Sequence, residues 1–169
     1  YGTWDDHDFG SSKADGSLEG KEGSRQAFTE YRPNPSAGNG EQGIYSKFRR
    51  GPVEVYLRDT RYFAKTEGSP LVSDAPSMIG AAQWKWLSES LLASSAPVKV
   101  PACGAVWYDL PQEKPDCWAR YTRERDAIFR WIGENGITGV VLVSGDLHQS
   151  RVVEHATLLP AGDSITEFV

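Results

Sequence analysis

Apolar and polar positions alternate in blocks along the chain, and the blocks change period. Residues 44–48 (IYSKF) and 53–59 (VEVYLRD) read as strands, the second alternating with period two, and Arg49-Arg50-Gly51-Pro52 joins them as a hairpin would. Val53, Val55, Leu57 and Asp59 then share one face. IGAAQWKWLSESLLAS at 79–94 changes to a helical period, with Ile79, Ala82, Trp86, Leu87 and Leu91 on one stripe. VKVPA at 98–102 reads as a short strand. CWARYTRERDAIFRWIGENG at 117–136 holds a second helix with Ile128, Trp131 and Ile132 inward, stopped by Asn135-Gly136. TGVVLVSGD at 138–146 is a continuous apolar run, as expected of a strand buried on both faces in an α/β sheet. Further strands are expected at 150–158 and 164–169. A short helix weakened by Gly23 is expected at 21–32, and loops at 10–20, 32–43 and 64–77. Strands alternating with helices predict a layered α/β fold. No internal repeat or low-complexity segment interrupts it.

Composition narrows the picture. The 169 residues suffice for one domain with a core, and six Trp, seven Tyr and six Phe supply packing volume. Gly (17) and Pro (10) imply long loops. A net charge of −5 speaks against nonspecific nucleic-acid binding. No apolar run is long enough to cross a bilayer. Cys103 and Cys117 form no CxxC motif, and a disulfide or two free thiols are both open. The chain opens on Tyr1, inside its most chemical stretch, and reads as a piece whose upstream part is missing.

That stretch is WDDHDFG at 4–10. Asp5, Asp6, His7 and Asp8 stand side by side although like charges repel. Either this is a solvated acidic turn or a multivalent cation collects the carboxylates. GDLHQS at 145–150 repeats the ingredients. Asp146 and His148 are two apart, so an extended backbone would aim both the same way, at a strand end where α/β folds place ligands. Carboxylate with imidazole suits a transition metal, and a turn Asp with a satisfied His is the plainer reading. Two such clusters in a chain with three His favour the metal. His155, beside Glu154, reads as an ordinary strand residue. Asp59-Thr60-Arg61 closes a strand. Arg61 could grip an oxyanion bidentately or form a surface pair with Asp59. Arg49-Arg50 reads as a solvated turn. Cys103, Gly104 and Trp107 follow a strand, and Cys103 could be a buried thiol or line the site. No Gly-x-Ser-x-Gly elbow follows the pattern of a serine hydrolase at Ser144, and no P-loop, GxGxxG or zinc-finger spacing occurs.

Taken in order, WDDHDFG, GIYSKFRRGPVEVYLRDTRYF, IGAAQWKWLSESLLASSAPVKV, CWARYTRERDAIFRWI and GVVLVSGDLHQS resemble the PhoD-like alkaline phosphatase/phosphodiesterase family, within the calcineurin-like metallophosphoesterases. The resemblance implies that residues 1–169 are the later portion of a single catalytic domain, a partial αββα sandwich of mixed sheets flanked by helices whose N-terminal half is missing. It implies metal-dependent hydrolysis of phosphate mono- or diesters by the parent protein. It implies Asp5, Asp6, Asp146 and His148 as metal ligands, His7 near the leaving-group oxygen, and Arg61 at the family's Asp-Thr-Arg strand end, there to hold a nonbridging oxygen. The implied cofactors are calcium and iron, with manganese or zinc as alternatives. The implied partner is a small phosphate ester, and the implied location is periplasmic or extracellular. Three departures stand against it. Gly10-Ser11-Ser12-Lys13 replaces the family's Gly-x-Asn-Asp. No intermediate His occurs near KVPACGAVW. The first metal motifs would lie before residue 1. A noncatalytic binding or structural domain with a decayed metal site is therefore the alternative.

Overall fold

A computed structural model describes residues 1–108, 116–156 and 164–169, the side chain of Ala156 excepted. Helices are α1 (Asp6–Phe9), α2 (Lys21–Tyr31), α3 (Gly80–Ala93) and α4 (Thr122–Glu134). Strands are β1 (Ser46–Arg50), β2 (Val53–Leu57), β3 (Val98–Ala102), β4 (Val141–Val143), β5 (Val152–Ala156) and β6 (Ser164–Phe168). They form one six-stranded mixed sheet in the order β1-β2-β3-β4-β6-β5. The hairpin β1–β2 is antiparallel, β2, β3, β4 and β6 run parallel, and β5 returns antiparallel at the edge. Helices α3 and α4 are the crossovers that parallel pairing requires. They meet through Trp84 and Trp131, edge to face at 5.0 Å.

Both crossovers cover the same face. Tyr56 of β2 packs with Leu87 and Leu91 of α3. Leu142 and Ile165 pack with Ile128, Phe129 and Ile132 of α4. Beside them Trp107 stacks on Trp118 at 4.3 Å, and the buried Arg58 guanidinium lies 4.0 Å over the Trp107 ring. The alternation expected in 53–59 is present: Glu54 and Tyr56 are buried on this face, and Leu57 is buried on the other. Val53 and Val55 are only half-covered. They belong to the second face, on which Val53 pairs Val98 and Val55 pairs Val100. The next row on that face runs Leu57, Ala102, Val143, Phe168, Val152. Of that row, Val143 is 40% exposed, Phe168 48% and Val152 67%. The apolar run expected to be buried on both faces is thus buried at Leu142 on one face, while on the other Val141 is half-covered and Val143 exposed.

Two further expectations are corrected. The helix expected over 117–136 is divided. A 3-10 turn at Trp118–Arg120 ends at Tyr121, whose ψ of 33° breaks the run, and α4 starts after it. Trp118 is fully buried against Trp107, so tertiary packing fixes a turn that periodicity alone did not. The strand expected over 138–146 shrinks to Val141–Val143. Gly139 before it adopts φ +70°, and a Cβ there would lie 1.9 Å from the Pro97 carbonyl oxygen. Cys103 and Cys117 are both buried thiols and are not joined in a disulfide.

Asp59 sits just past β2 and is fully buried. Its Oδ1 accepts from Trp4 Nε1 at 2.8 Å and from the backbone N–H groups of Arg61 and Tyr62, each at 2.9 Å. Its Oδ2 accepts from Ile44 N–H at 3.0 Å. Gln83 of α3 accepts from Asp59 N–H at 2.8 Å and donates to its carbonyl at 2.7 Å. A surface pair of Asp59 with Arg61 is therefore not what forms. The carboxylate instead holds four donors from three segments.

Leu87→Ala, at a site where the side chain is 1% exposed, is expected to lower stability by about 2–5 kcal/mol in urea unfolding. Asp59→Ala strands four buried donors at about 1–3 kcal/mol each, comparable to the whole stability of a domain, and no cooperative unfolding transition is expected. Asp59→Asn keeps an oxygen where Oδ1 stands but sets an amide against Ile44 N–H. It is expected to fold with a loss of about 3 kcal/mol. An unchanged urea midpoint in Asp59→Asn would contradict this account.

Candidate metal centre

WDDHDFG makes a single helical turn, and each of its carboxylates has a separate task. Asp8 Oδ2 accepts the Asp5 N–H at 3.1 Å and closes the turn. Asp6 accepts the N–H of His7 at 2.8 Å on Oδ1 and that of Lys13 at 2.9 Å on Oδ2. Asp5 is bound to Arg61 through Nε at 2.8 Å and also through Nη2, both on Oδ1. Trp4 and Phe9 anchor the turn on either side. They are buried with Ile44, Tyr45, Tyr62 and Phe63, and Trp4 meets Phe9 edge to face at 4.9 Å.

The strand ends meet this turn through two glycines. Gly145 N–H donates to the Gly104 carbonyl at 3.1 Å, joining the segments that follow β4 and β3. A Cβ on Gly104 would lie 2.6 Å from Asp5 Cγ, so only glycine lets Asp5 approach this strand end. Asp146 follows Gly145. As a result Asp5, Asp6 and Asp146 each offer an oxygen, and these ligand atoms lie within 4.8 Å of one another. Residues from the two ends of the sequence have converged.

The histidines do not join that group. His7 and His148 are both exposed, and neither is part of the three-carboxylate cluster. The extended backbone expected at 146–148 is also corrected. The strand ends at Val143, and Asp146 and His148 take φ of 74° and 55°. This left-handed region is one that Asp and His tolerate better than most residues. Ser144 N–H donates to the Phe168 carbonyl at 2.9 Å and Gly145 N–H to Gly104, and these bonds turn the chain before Asp146. His155 is structural, with Nε2 2.9 Å from Glu167 Oε2 on the neighbouring strand. Cys103 is a buried thiol that accepts from Arg58 Nη2 at 2.8 Å.

Electrostatics separate the two neighbouring aspartates. Burial pushes Asp5 above its ordinary value, Arg61 opposes this, and the charges of Asp146 and Asp6 add to the rise. Asp6 also feels burial, but the N–H groups of Lys13 and His7 outweigh it and hold its carboxyl below the ordinary value. Three carboxylates within one cation's reach repel in the absence of countercharge. Their all-oxygen donor set fits a hard cation of the calcium, manganese or ferric kind.

Sequence reasoning missed Asp116. Its Oδ2 accepts from Arg61 Nη1 at 3.1 Å, and its side chain is only 8% exposed. Nothing local distinguished it from an ordinary residue before a helix.

Residues 2–169 match the PhoD-like phosphatase family. The chain is 27% identical over 178 aligned positions to alkaline phosphatase D of Bacillus subtilis (strain 168), covering 88% of this chain and 30% of that protein. It superposes on the solved structure of PhoD with a TM-score of 0.74 at 22% identity, over 98% of this chain and 38% of that one. The latter likeness shows the fold. The chain spans about a third of the length of the relatives it matches. Because the family match runs through nearly every element from the aspartate turn to β6, this chain belongs to the PhoD-like phosphatase family.

Proposed function

We propose that the protein to which this chain contributes hydrolyses phosphate mono- or diesters, using metal ions held in part by Asp5, Asp6 and Asp146. In this reading residues 1–169 are the later portion of one catalytic domain. The observation that carries it is the gathering of three carboxylate oxygens within 4.8 Å from opposite ends of the chain. Family membership supports the reaction class. The name of the Bacillus subtilis relative, alkaline phosphatase D, supports a phosphate ester as substrate. Calcium and iron are the proposed metals, with manganese or zinc as alternatives, and His148 is proposed to swing from its exposed position to complete the ligand set. The proposed location is periplasmic or extracellular. No helix among the described residues is long and apolar enough to cross a membrane.

Bound metal ions would supply an activated water and polarise the phosphoryl oxygens. The chain's own groups do the rest. His7, exposed one residue from the cluster, gives a proton to the departing oxygen. Asp6 is pinned by two backbone N–H groups, so its carboxylate is preset. Gly104 keeps the approach to Asp5 open.

One observation favours a second reading, a noncatalytic domain with a decayed site. The residue that contacts Asp6 after the turn is Lys13, at φ 65°, in a stretch that lacks the family's Asn. The two readings part on metal binding by the parent protein.

In the parent protein His7→Ala is expected to lower hydrolysis of an aryl phosphate ester by about 10²–10⁴-fold with bound metal unchanged. Asp146→Ala is expected to lower bound metal, read by elemental analysis. Equal metal loss in both variants would make His7 a ligand, and no metal in the unmodified protein would favour the decayed site. Residues 1–169 alone are expected to show little or no hydrolysis of mono- or diesters with added manganese, calcium or ferric iron, because a two-metal site needs more ligands than this cluster holds. Robust turnover abolished by Asp146→Ala would refute that expectation.

A further inference from the structure

Arg61 is paired with Asp5 of the cluster, and an arginine there invites assignment as a substrate clamp. Its surroundings argue otherwise. The side chain is 1% exposed. A guanidinium grips a phosphate through one planar edge with two parallel N–H groups. The Nε–Nη2 edge of Arg61 is already spent on Asp5, both donors converging on Oδ1. The remaining nitrogen, Nη1, donates to Asp116 Oδ2 at 3.1 Å and more distantly to the Ala14 carbonyl at 3.5 Å. The backbone is fixed as well, since Arg61 N–H donates to the buried Asp59 carboxylate at 2.9 Å. Each nitrogen of the side chain therefore faces protein.

The arrangement has a direction. Asp116 sits just ahead of the 3-10 turn, whose Trp118 is fully buried on Trp107, so it is mounted on the core. Asp116 holds Nη1, Arg61 spans the gap, and the fork ends on one oxygen of Asp5. Asp5 Oδ2 is left outside the fork. A carboxylate fixed by one oxygen in this way cannot rotate freely, and the other oxygen is aimed by its partner. Groups that hold a ligating carboxylate from behind in this manner typically govern affinity for the ion by about 10–100-fold.

We propose that Arg61 and Asp116 are positioning residues, a buried relay that orients Asp5 toward Asp6 and Asp146 and does not touch substrate. This inference rests on the metal-centre reading and assigns a role inside it. It also identifies Asp116, far from Asp5 in sequence, as a determinant of metal affinity.

The test uses the full-length parent protein, Mn²⁺ as the titrant in calorimetry after chelator treatment, and inorganic phosphate as the anion probe at saturating Mn²⁺. Asp116→Asn is expected to weaken Mn²⁺ binding by about 10–100-fold and leave phosphate affinity within about twofold. Asp116→Glu, which restores the charge, is expected to recover part of the Mn²⁺ affinity. Arg61→Lys keeps a charge but loses the fork, and it gives a second reading of the same loss if Asp116→Asn folds poorly. Phosphate affinity reduced tenfold with Mn²⁺ binding intact would make Arg61 a substrate clamp and overturn the proposal. A lower melting temperature with both affinities unchanged would make the relay merely structural and overturn it too. Asp146→Ala separates the two levels. If it abolishes Mn²⁺ binding while Asp116→Asn and Arg61→Lys do not, the relay fails and the metal centre stands. If Asp146→Ala binds Mn²⁺ as the unmodified protein does, the metal-centre reading fails and the relay's purpose with it.

Discussion

One buried carboxylate sets the geometry of the site. Asp59 emerges from β2 into an apolar interior, where burial pushes its carboxyl above the ordinary value and four N–H groups that close around it pull the other way. Those donors come from the turn that precedes α1, from the loop before β1 and from the segment after β2. The aspartate turn is thereby tied to the sheet through Trp4, and Arg61 is aimed through its own backbone. If these segments were joined only by apolar packing, they could slide. Hydrogen bonds to one shared carboxyl group give them one register.

The same device recurs across the fold. Glu124, fully buried on α4, accepts from Ser77 Oγ at 2.6 Å and from Met78 N–H at 2.8 Å, and so fixes the entry to α3. Glu167, fully buried on β6, accepts from Trp107 N–H at 2.9 Å and from Ser144 Oγ, with His155 on its other oxygen. Each acid captures a loop at a strand end or a helix entry. Long loops rich in Gly and Pro carry much backbone that must be satisfied somewhere, and three buried acids satisfy a share of it. The centre of Asp5, Asp6 and Asp146 stands on this framework, with the same logic reversed. There the carboxylates gather beside one another, with Arg61 on Asp5 and backbone N–H groups on Asp6.

The sheet has unequal faces. Helices α3 and α4 bury one with Tyr56, Leu142 and Ile165, and the other presents Val143, Phe168 and Val152 to solvent. A parallel sheet normally has both faces covered.

Much of the architecture was already determined by local pattern. The hairpin, β3, α3 and the existence of α4 follow from period-two and helical alternation, and such patterns survive because burial of a face rewards them wherever the chain lies. The three carboxylates that the fold gathers were also legible as candidates, since Asp5, Asp6 and Asp146 stand near histidines in two acidic stretches. Tertiary structure alone decided the rest. The break at Tyr121 depends on Trp118 stacking on a ring eleven residues earlier. The left-handed turn at Asp146 depends on hydrogen bonds to Gly104 and Phe168, from two other segments. The partnership of Arg61 with Asp5 and Asp116, in place of its sequence neighbour Asp59, depends on which carboxylates the fold brings to the guanidinium's edges. Periodicity reports which face of an element is apolar. It carries no record of contacts between residues separated by whole elements, and those contacts decide which charge meets which.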